Sequence, residues 1–310
     1  MRILFAGTPE IAVPTLKALN EEFEIGLVLT NPDAPQGRSK KLVASPVKRE
    51  AADLGLSYLQ PERLRGDVLK EVASYNCDVL VCFAYGKIFG PRFLSMFEKG
   101  CYNIHPSRLP QFRGSSPIQY AILNGLSSTA ITIQKLSKGV DEGDVCSTVD
   151  VDLDGNETTE SLTERIAQIA APLALDTFRK LNEGSLISHP QEGEVSYTEM
   201  LSKDESLLDF NQSAESIHCK IRAYYPWPKA TTIYDGKVLF ITGVAPLTHE
   251  KRDESIKPGT VIEKRKKQGL VIACGDELLI VKTLQLTGKK EMDFNSFYNG
   301  NQKIVGCLLG

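Results

Sequence analysis

Through the first half of the chain, short runs of apolar residues alternate with stretches whose apolar positions recur every three to four residues. Strands are expected at 2–7, 25–30, 57–59, 77–84 and 101–104, with helices at 46–54, 66–74 and 91–97. After Gly7-Thr8-Pro9, the positions Ile11, Pro14, Thr15, Ala18 and Leu19 continue at helical spacing. Strand runs without polar alternation, each followed by a helix, predict an α/β fold with a parallel sheet covered on both faces. A helix at 116–124, strands at 130–136 and 145–153, and a long helix at 161–181 carried by Leu162, Ile166, Ile169, Leu173, Phe178 and Leu181 complete this part. The polar residues of 182–194 read as the exit into a linker. From about residue 207 the pattern changes to one helix at 213–223. Short strands follow at 230–233, 238–244, 259–263, 269–273 and 277–286, separated by glycine-bearing turns, which predicts a small β-barrel. The expected organisation is a domain at 1–189, a linker at 190–206 and a second domain at 207–310.

Length agrees with this division, because 310 residues suit two cores better than one. The chain opens with Met1-Arg2 and then a strand, and no apolar run is long enough to span a bilayer. We therefore expect a cytoplasmic protein with no leader or membrane partner. Seven cysteines lie scattered without a Cys-x-x-Cys pair, several in apolar strands, and read as reduced buried thiols rather than disulfides or a metal site.

The net charge of −3 conceals an asymmetry: residues 207–310 hold 15 Lys/Arg against 11 Asp/Glu, and the acidic excess lies before them. Two basic clusters stand out. Lys264-Arg265-Lys266-Lys267 falls at an expected hairpin turn, and Arg38, Lys40 and Lys41 fall in an early loop with Lys48 and Arg49 close behind. Such clusters either solvate a surface or hold two stretches of one phosphate backbone.

Candidate chemistry lies in Asn103-Ile104-His105 and in the loop Gly139-Val140-Asp141-Glu142-Gly143-Asp144. Residues two apart on a strand share a side, so Asn103 and His105 stand together where a strand ends. An imidazole, an amide donor and a carboxylate that orients the imidazole are what acyl transfer to an amine needs. Either Asp141 or Asp144 can supply the carboxylate on this reading.

The stretch Asn103-Ile104-His105-Pro106-Ser107-Arg108-Leu109-Pro110, with Gln111-Phe112-Arg113-Gly114 after it, resembles the signature of the 10-formyltetrahydrofolate-dependent formyltransferases. Further similarity lies in Ile3 to Glu10, Asn31 to Leu42, Ile221 to Pro228 and Leu284 to Lys290. The resemblance implies a Rossmann-like parallel-sheet formyltransferase domain followed by a small oligonucleotide-binding-type β-barrel domain. It places the catalytic roles on Asn103, His105 and Asp141, with Asp141 preferred to Asp144 because the family's partner comes first in Asp-x-Gly-Asp. It implies a folate crevice beside Tyr85, Gly86, Lys87 and Ile88 and beside Ser107, Arg108, Leu109 and Pro110. Arg108 stands where the family has leucine, and its long stem is expected to carry the charge to solvent. The basic loop around Arg38, Lys40 and Lys41 implies the family branch whose acceptor is the α-amino group of methionyl initiator tRNA, for translation initiation, with Lys264–Lys267 as a second tRNA contact. Within the same family, an amino sugar nucleotide is the alternative acceptor. A nucleic-acid-binding protein with a vestigial folate site is a reading of another class. No metal is implied, and a monomer is expected.

Overall fold

The computed structural model of the chain describes residues 1–36 and 41–310. These divide into two units. The first comprises Met1–Pro117, Thr129–Val151 and Thr163–Thr198, and the second Ile118–Ser128, Asp152–Leu162 and Glu199–Gly310.

In chain order the first part runs β1 (Arg2–Gly7), α1 (Val13–Glu22), β2 (Glu24–Leu29), β3 (Ala34–Gln36), β4 (Lys41–Val43), α2 (Pro46–Asp53) and β5 (Tyr58–Leu59). It continues through α3 (Asp67–Ser74), β6 (Val79–Phe83), α4 (Pro91–Leu94), β7 (Cys101–His105), β8 (Arg113–Gly114) and α5 (Pro117–Leu123). β9 (Ser128–Lys135), β10 (Val145–Asp152), α6 (Thr159–Glu183) and β11 (Tyr197–Thr198) follow. Seven strands form the main sheet, in the order β10-β9-β7-β6-β1-β2-β5. Ile3, Leu4, Phe5 and Ala6, like Val79, Leu80 and Val81, are wholly buried, as the unalternating apolar runs require of strands covered on both faces. One cover is α6, whose Phe178 meets Tyr102 of β7 edge-on at 5.6 Å.

The strands β7, β6, β1, β2 and β5 are parallel, as expected. β9 departs from the expected pattern and pairs antiparallel with β7, setting Asn103 opposite Gln134 and His105 opposite Thr132. The reason lies in the connection: most of α5 groups with the second unit, so it does not serve as a crossover helix. The chain re-enters the sheet at the end where β7 left it. Parallel order brings Gly7, Phe83 and the end of β7 to one edge, where such sheets carry their sites. The expected helix at 91–97 is shorter, ending at Leu94, while Phe93 and Phe97 stay buried in the core.

In the second unit, α7 (Ala214–Ala223) precedes β12 (Ala230–Tyr234), β13 (Lys237–Val244), β14 (Val261–Arg265), β15 (Gly269–Ala273), β16 (Leu278–Leu286), β17 (Met292–Asp293) and α8 (Phe294–Gly300). Five antiparallel strands in the order β12-β13-β16-β15-β14 turn alternate residues, among them Leu239, Ile241, Ile272 and Val281, onto one core. Register shifts at Ile241, Gly243 and Val244 bend β13 against β16. Among the described residues β12 and β14 do not pair with each other, the partly open barrel of the oligonucleotide-binding type. The sequence reading did not include β17 or α8. α8 begins where Asp293 accepts the N–H groups of Asn295 and Ser296 at 2.9 and 3.2 Å, and it buries Phe294 and Phe297 in the same core.

A buried polar cluster also marks this unit. Arg222 donates from Nε to His218 Nδ1 at 3.1 Å and from a terminal nitrogen to the Glu157 carbonyl at 2.9 Å. Burial, and then the adjacent guanidinium, push the His218 imidazole down from 6.5 to about 4. The native state therefore holds this ring neutral where the unfolded chain would bind a proton. Stability from this site is full above pH 6.5 and is lost as pH falls towards about 4. We expect urea unfolding of the wild type to lose up to about 3 kcal/mol more between pH 7 and pH 4 than unfolding of His218→Gln, which keeps an acceptor for Arg222 without titrating. Equal losses in the two proteins would contradict this account.

Candidate active site

The strand alternation that made Asn103 and His105 neighbours holds, and both stand on β7 at its carboxyl end. His105 is buried, with its side chain 5 % exposed. Its Nε2 lies 2.9 Å from the carbonyl oxygen of Phe112, an atom that can only accept. This contact assigns the ring proton to Nε2 in the neutral imidazole. Nδ1 then faces Asp141 Oδ2 at 3.6 Å. A ring protonated at both nitrogens has an acceptor for each.

Asp141 comes from the loop between β9 and β10 and takes a positive φ of 52°, a left-handed conformation that aspartate adopts more readily than most residues. Three N–H groups converge on its carboxylate. Gln134 Nε2 donates to Oδ1 at 2.8 Å, Asn103 Nδ2 to the same oxygen at 3.3 Å, and the Gly114 backbone N–H to Oδ2 at 2.9 Å. Asp144 is placed elsewhere, with Oδ2 accepting from Ser188 Oγ at 3.4 Å and its carbonyl accepting from Lys135 N–H at 2.9 Å. Of the two aspartates left open by the residue pattern, Asp141 is the one beside the imidazole.

Gly114 has a specific reason to be glycine. Its φ is 111°, and a Cβ there would stand 2.4 Å from the Thr198 carbonyl oxygen, because β8 lies against β11. The residues 190–198, in the stretch expected to be a linker, thus form part of the first unit. Ser196 Oγ accepts from Phe112 N–H at 2.9 Å, and Gln191 Nε2 donates to the carbonyls of Asp141 and Gly143, both at 2.8 Å. The sequence reading missed Gln134, Gln191 and Ser196. Thr132 and Gln134 alternate with Ile131 and Ile133 in β9, a polar stripe that could have flagged the first; nothing in the irregular 184–196 stretch flags the other two.

The residues expected to border a folate are divided in their surroundings. Ile88 is 90 % exposed, whereas the Tyr85 ring is buried and stacks on Phe89 at 5.6 Å. Tyr85 instead offers its carbonyl, which accepts from Asn31 Nδ2 at 2.8 Å. Asn31 Oδ1 is buried without a donor next to it. Lys87 Nζ donates to the carbonyls of Pro61 and Glu62, and its partial burial lowers its pKa. Ser107 is fully buried and donates to the Gln111 carbonyl at 2.6 Å, with Leu109 and Pro110 buried beside it. Arg108 does reach outward, where it pairs with Asp150 of β10 at 2.5 Å.

Arg38 and Lys40 lie outside the described residues, and Lys41 is exposed on β4. At the β14–β15 turn Lys266 and Lys267 are exposed, but Arg265 is bound by both oxygens of Glu250, at 2.6 and 2.8 Å, and by Glu263 at 2.6 Å. The Lys264 ammonium stands 4.7 Å above the Tyr298 ring. No helix among the described residues is long and apolar enough to cross a membrane.

Comparison with known proteins gives concordant results. Residues 1–176 match the formyl transferase family and residues 200–302 the formyl transferase C-terminal domain. A methionyl-tRNA formyltransferase of Lachnospira eligens is 42 % identical over 315 aligned residues covering 100 % of both chains. One from Treponema denticola is 39 % identical over 97 % of each. Among solved structures, a methionyl-tRNA formyltransferase from Clostridium thermocellum shares the fold at a TM-score of 0.58 and 20 % identity, over 81 % of this chain and 95 % of that one. HypX from Aquifex aeolicus in complex with tetrahydrofolic acid does so at 0.65 and 17 %, over 98 % of this chain and 48 % of that one.

The geometry separates the two aspartates of the loop. Asp141→Asn is expected to lower turnover roughly hundredfold or more, since a neutral amide cannot stabilise a protonated imidazole, whereas Asp144→Asn should retain activity within about threefold. Single-turnover rates of the two variants check this, and the reverse order would transfer the role to Asp144.

Proposed function

The chain belongs to the formyl transferase family, and from that premise we propose that it formylates the α-amino group of methionyl initiator tRNA, with 10-formyltetrahydrofolate as donor. The observation that carries the acceptor is the 42 % identity, from end to end, to a methionyl-tRNA formyltransferase. Both domains are covered by that match, including the one that brings Lys266 and Lys267 to the surface.

In this reaction the amine nitrogen bonds to the formyl carbon, the bond from that carbon to the donor nitrogen breaks, and one proton passes from the amine to the donor nitrogen. Negative charge builds on the formyl oxygen in between. The Asn103 amide is a donor available to it at the mouth of β7. His105 takes the amine proton at Nδ1, beside the Asp141 carboxylate, and passes it on to the departing donor nitrogen, while the Phe112 carbonyl keeps the ring from rotating. Gln134 and the Gly114 N–H in turn hold that carboxylate in place.

Ile88, Ser107, Leu109 and Pro110 are assigned to the folate. An exposed apolar side chain and the donor-less Asn31 Oδ1 beside the Tyr85 carbonyl suit a flat, polar-edged ring system. Tyr85, Gly86 and Lys87 contribute backbone shape, since the tyrosine ring is in the core and the lysine is engaged. Arg108, paired outward with Asp150, leaves the crevice to its neighbours. The early loop with Arg38, Lys40 and Lys41 is assigned to the acceptor end of the tRNA, and the β14–β15 turn to its backbone.

Labelled formyl incorporation into charged initiator tRNA, charged elongator tRNA and an amino sugar nucleotide tests the acceptor. Initiator tRNA is expected to be formylated preferentially, and incorporation into the sugar nucleotide alone would overturn the proposal. A second expectation concerns charge. Lys266→Ala with Lys267→Ala should weaken tRNA binding and reduce the slope of log affinity against log salt by roughly one for each phosphate that the lysines neutralise. Arg265→Ala should leave that slope nearly unchanged, because its charge is already matched by Glu250 and Glu263. Binding isotherms across a salt series distinguish the two.

A further inference from the structure

Gln134 and Gln191 lie behind the reacting groups, and their amides join into one chain. Gln134 is wholly buried on β9, directly across from Asn103. Its Nε2 gives Asp141 Oδ1 the shorter of the two hydrogen bonds that oxygen accepts, and its Oε1 accepts from Gln191 Nε2 at 3.3 Å. Gln191 Nε2 also reaches the carbonyls of Asp141 and Gly143, either side of Glu142. The side-chain oxygen of Gln191 is held in turn by Arg113, whose Nε and a terminal nitrogen donate to it at 3.1 and 2.7 Å. Arg113 neighbours Gly114, the backbone donor to the other oxygen of Asp141.

One oxygen of the carboxylate and the main chain on either side of Glu142 are therefore held by two connected amides, and the other oxygen by the residue that follows Arg113, the partner of Gln191. We propose that Gln134 and Gln191 are positioning residues for the formyl transfer: together they fix the Asp141 carboxylate against His105, and Gln191 does so from a segment that follows α6. This rests on the reading of Asp141 as the carboxylate that orients His105. An amide is the residue type the site calls for at position 134. It donates to the carboxylate and accepts from Gln191 at once, and it adds no charge beside an anion. Other charged or titratable groups near Asp141 are His105, the buried Cys82 thiol, which burial pushes up to about 12 and so keeps neutral, and Glu142, next to Asp141 in the loop and paired with Arg113 at 3.5 Å.

The test uses the full-length protein and whichever acceptor the wild type formylates, so that a wrong acceptor assignment leaves it intact. Gln134→Glu is isosteric but sets a second carboxylate against Asp141. Two carboxylates at that distance share a proton, so the acid limb of the kcat/KM profile should move up by about one pH unit or more. Gln191→Glu keeps the acceptor for Arg113 and removes the N–H donors to the loop. It should lower kcat roughly ten- to hundredfold while KM for each substrate stays within about threefold. Gln134→Ala should do the same, and the double variant Gln134→Ala/Gln191→Glu should lose less than the product of the single losses, because both act on one carboxylate. A pH profile of Gln134→Glu superimposable on the wild type, or multiplicative losses with raised KM, would overturn the proposal. So would unfolding of the isosteric Gln191→Glu under conditions where the wild type is folded, which would make the residue a structural support instead.

Discussion

A carboxylate that is nearly buried must be matched by donors, and in this protein that requirement organises the catalytic unit. Asp141 is supplied from β7 by Asn103, from β9 by Gln134, and from β8 by Gly114. Each of these has its own support. β7 and β9 are held in register by their ladder, and Gly114 is held by β11 against a distance at which any side chain would collide. Leaving such an anion short of one partner costs more than the partner's bond alone contributes, so each supporting segment is constrained with it. The left-handed backbone at Asp141 belongs to the same arrangement, since it is there that Gln191 grips the main chain on either side of Glu142.

Much of this was legible in the sequence wherever a local rule applied. Period-two alternation placed Asn103 and His105 on one side of β7, and unbroken apolar runs announced the buried parallel strands. The short strands after residue 207 announced the second fold. What escaped depended on tertiary pairing. The antiparallel entry of β9 follows from most of α5 grouping with the other unit, which no window of sequence contains. Gln191 and Ser196 act from an irregular stretch, where polar composition resembles any linker. The Tyr85 ring is an intermediate case. Its burial could have been suspected from the four-residue spacing of Tyr85, Phe89, Phe93 and Phe97, whose successive rings lie 5.6, 5.1 and 5.5 Å apart.

Charge was the property least readable from spacing alone. Four consecutive basic residues at 264–267 suggest one concentrated field, yet Arg265 is matched by two glutamates and Lys264 sits over an aromatic ring. The outward field is left mainly to the two lysines at the tip. Arg108 is parallel. A cation at an apolar position of the family's pattern is accommodated because Asp150, two strands away in the sheet order, takes it at the surface. In both places the neighbours that decide the outcome are distant in the chain, so counting charges locally overstates what a ligand would meet.

The docking of 190–198 beside Asp141 and Gly114 bears on how this architecture can be divided and recombined. The family match for the first domain stops at residue 176, and α6 ends at Glu183, so a splice after that helix looks harmless on paper. Such a splice would keep Asn103, His105 and Asp141 but discard Gln191, Ser196 and the strand against which Gly114 is shaped. A chimaera inheriting its C-terminal partner from another protein must therefore inherit, with the catalytic half, the nine residues that follow His189. The seam must lie beyond Thr198, and a foreign C-terminal partner must also accept residues 118–128 and 152–162, which group with that part of the chain.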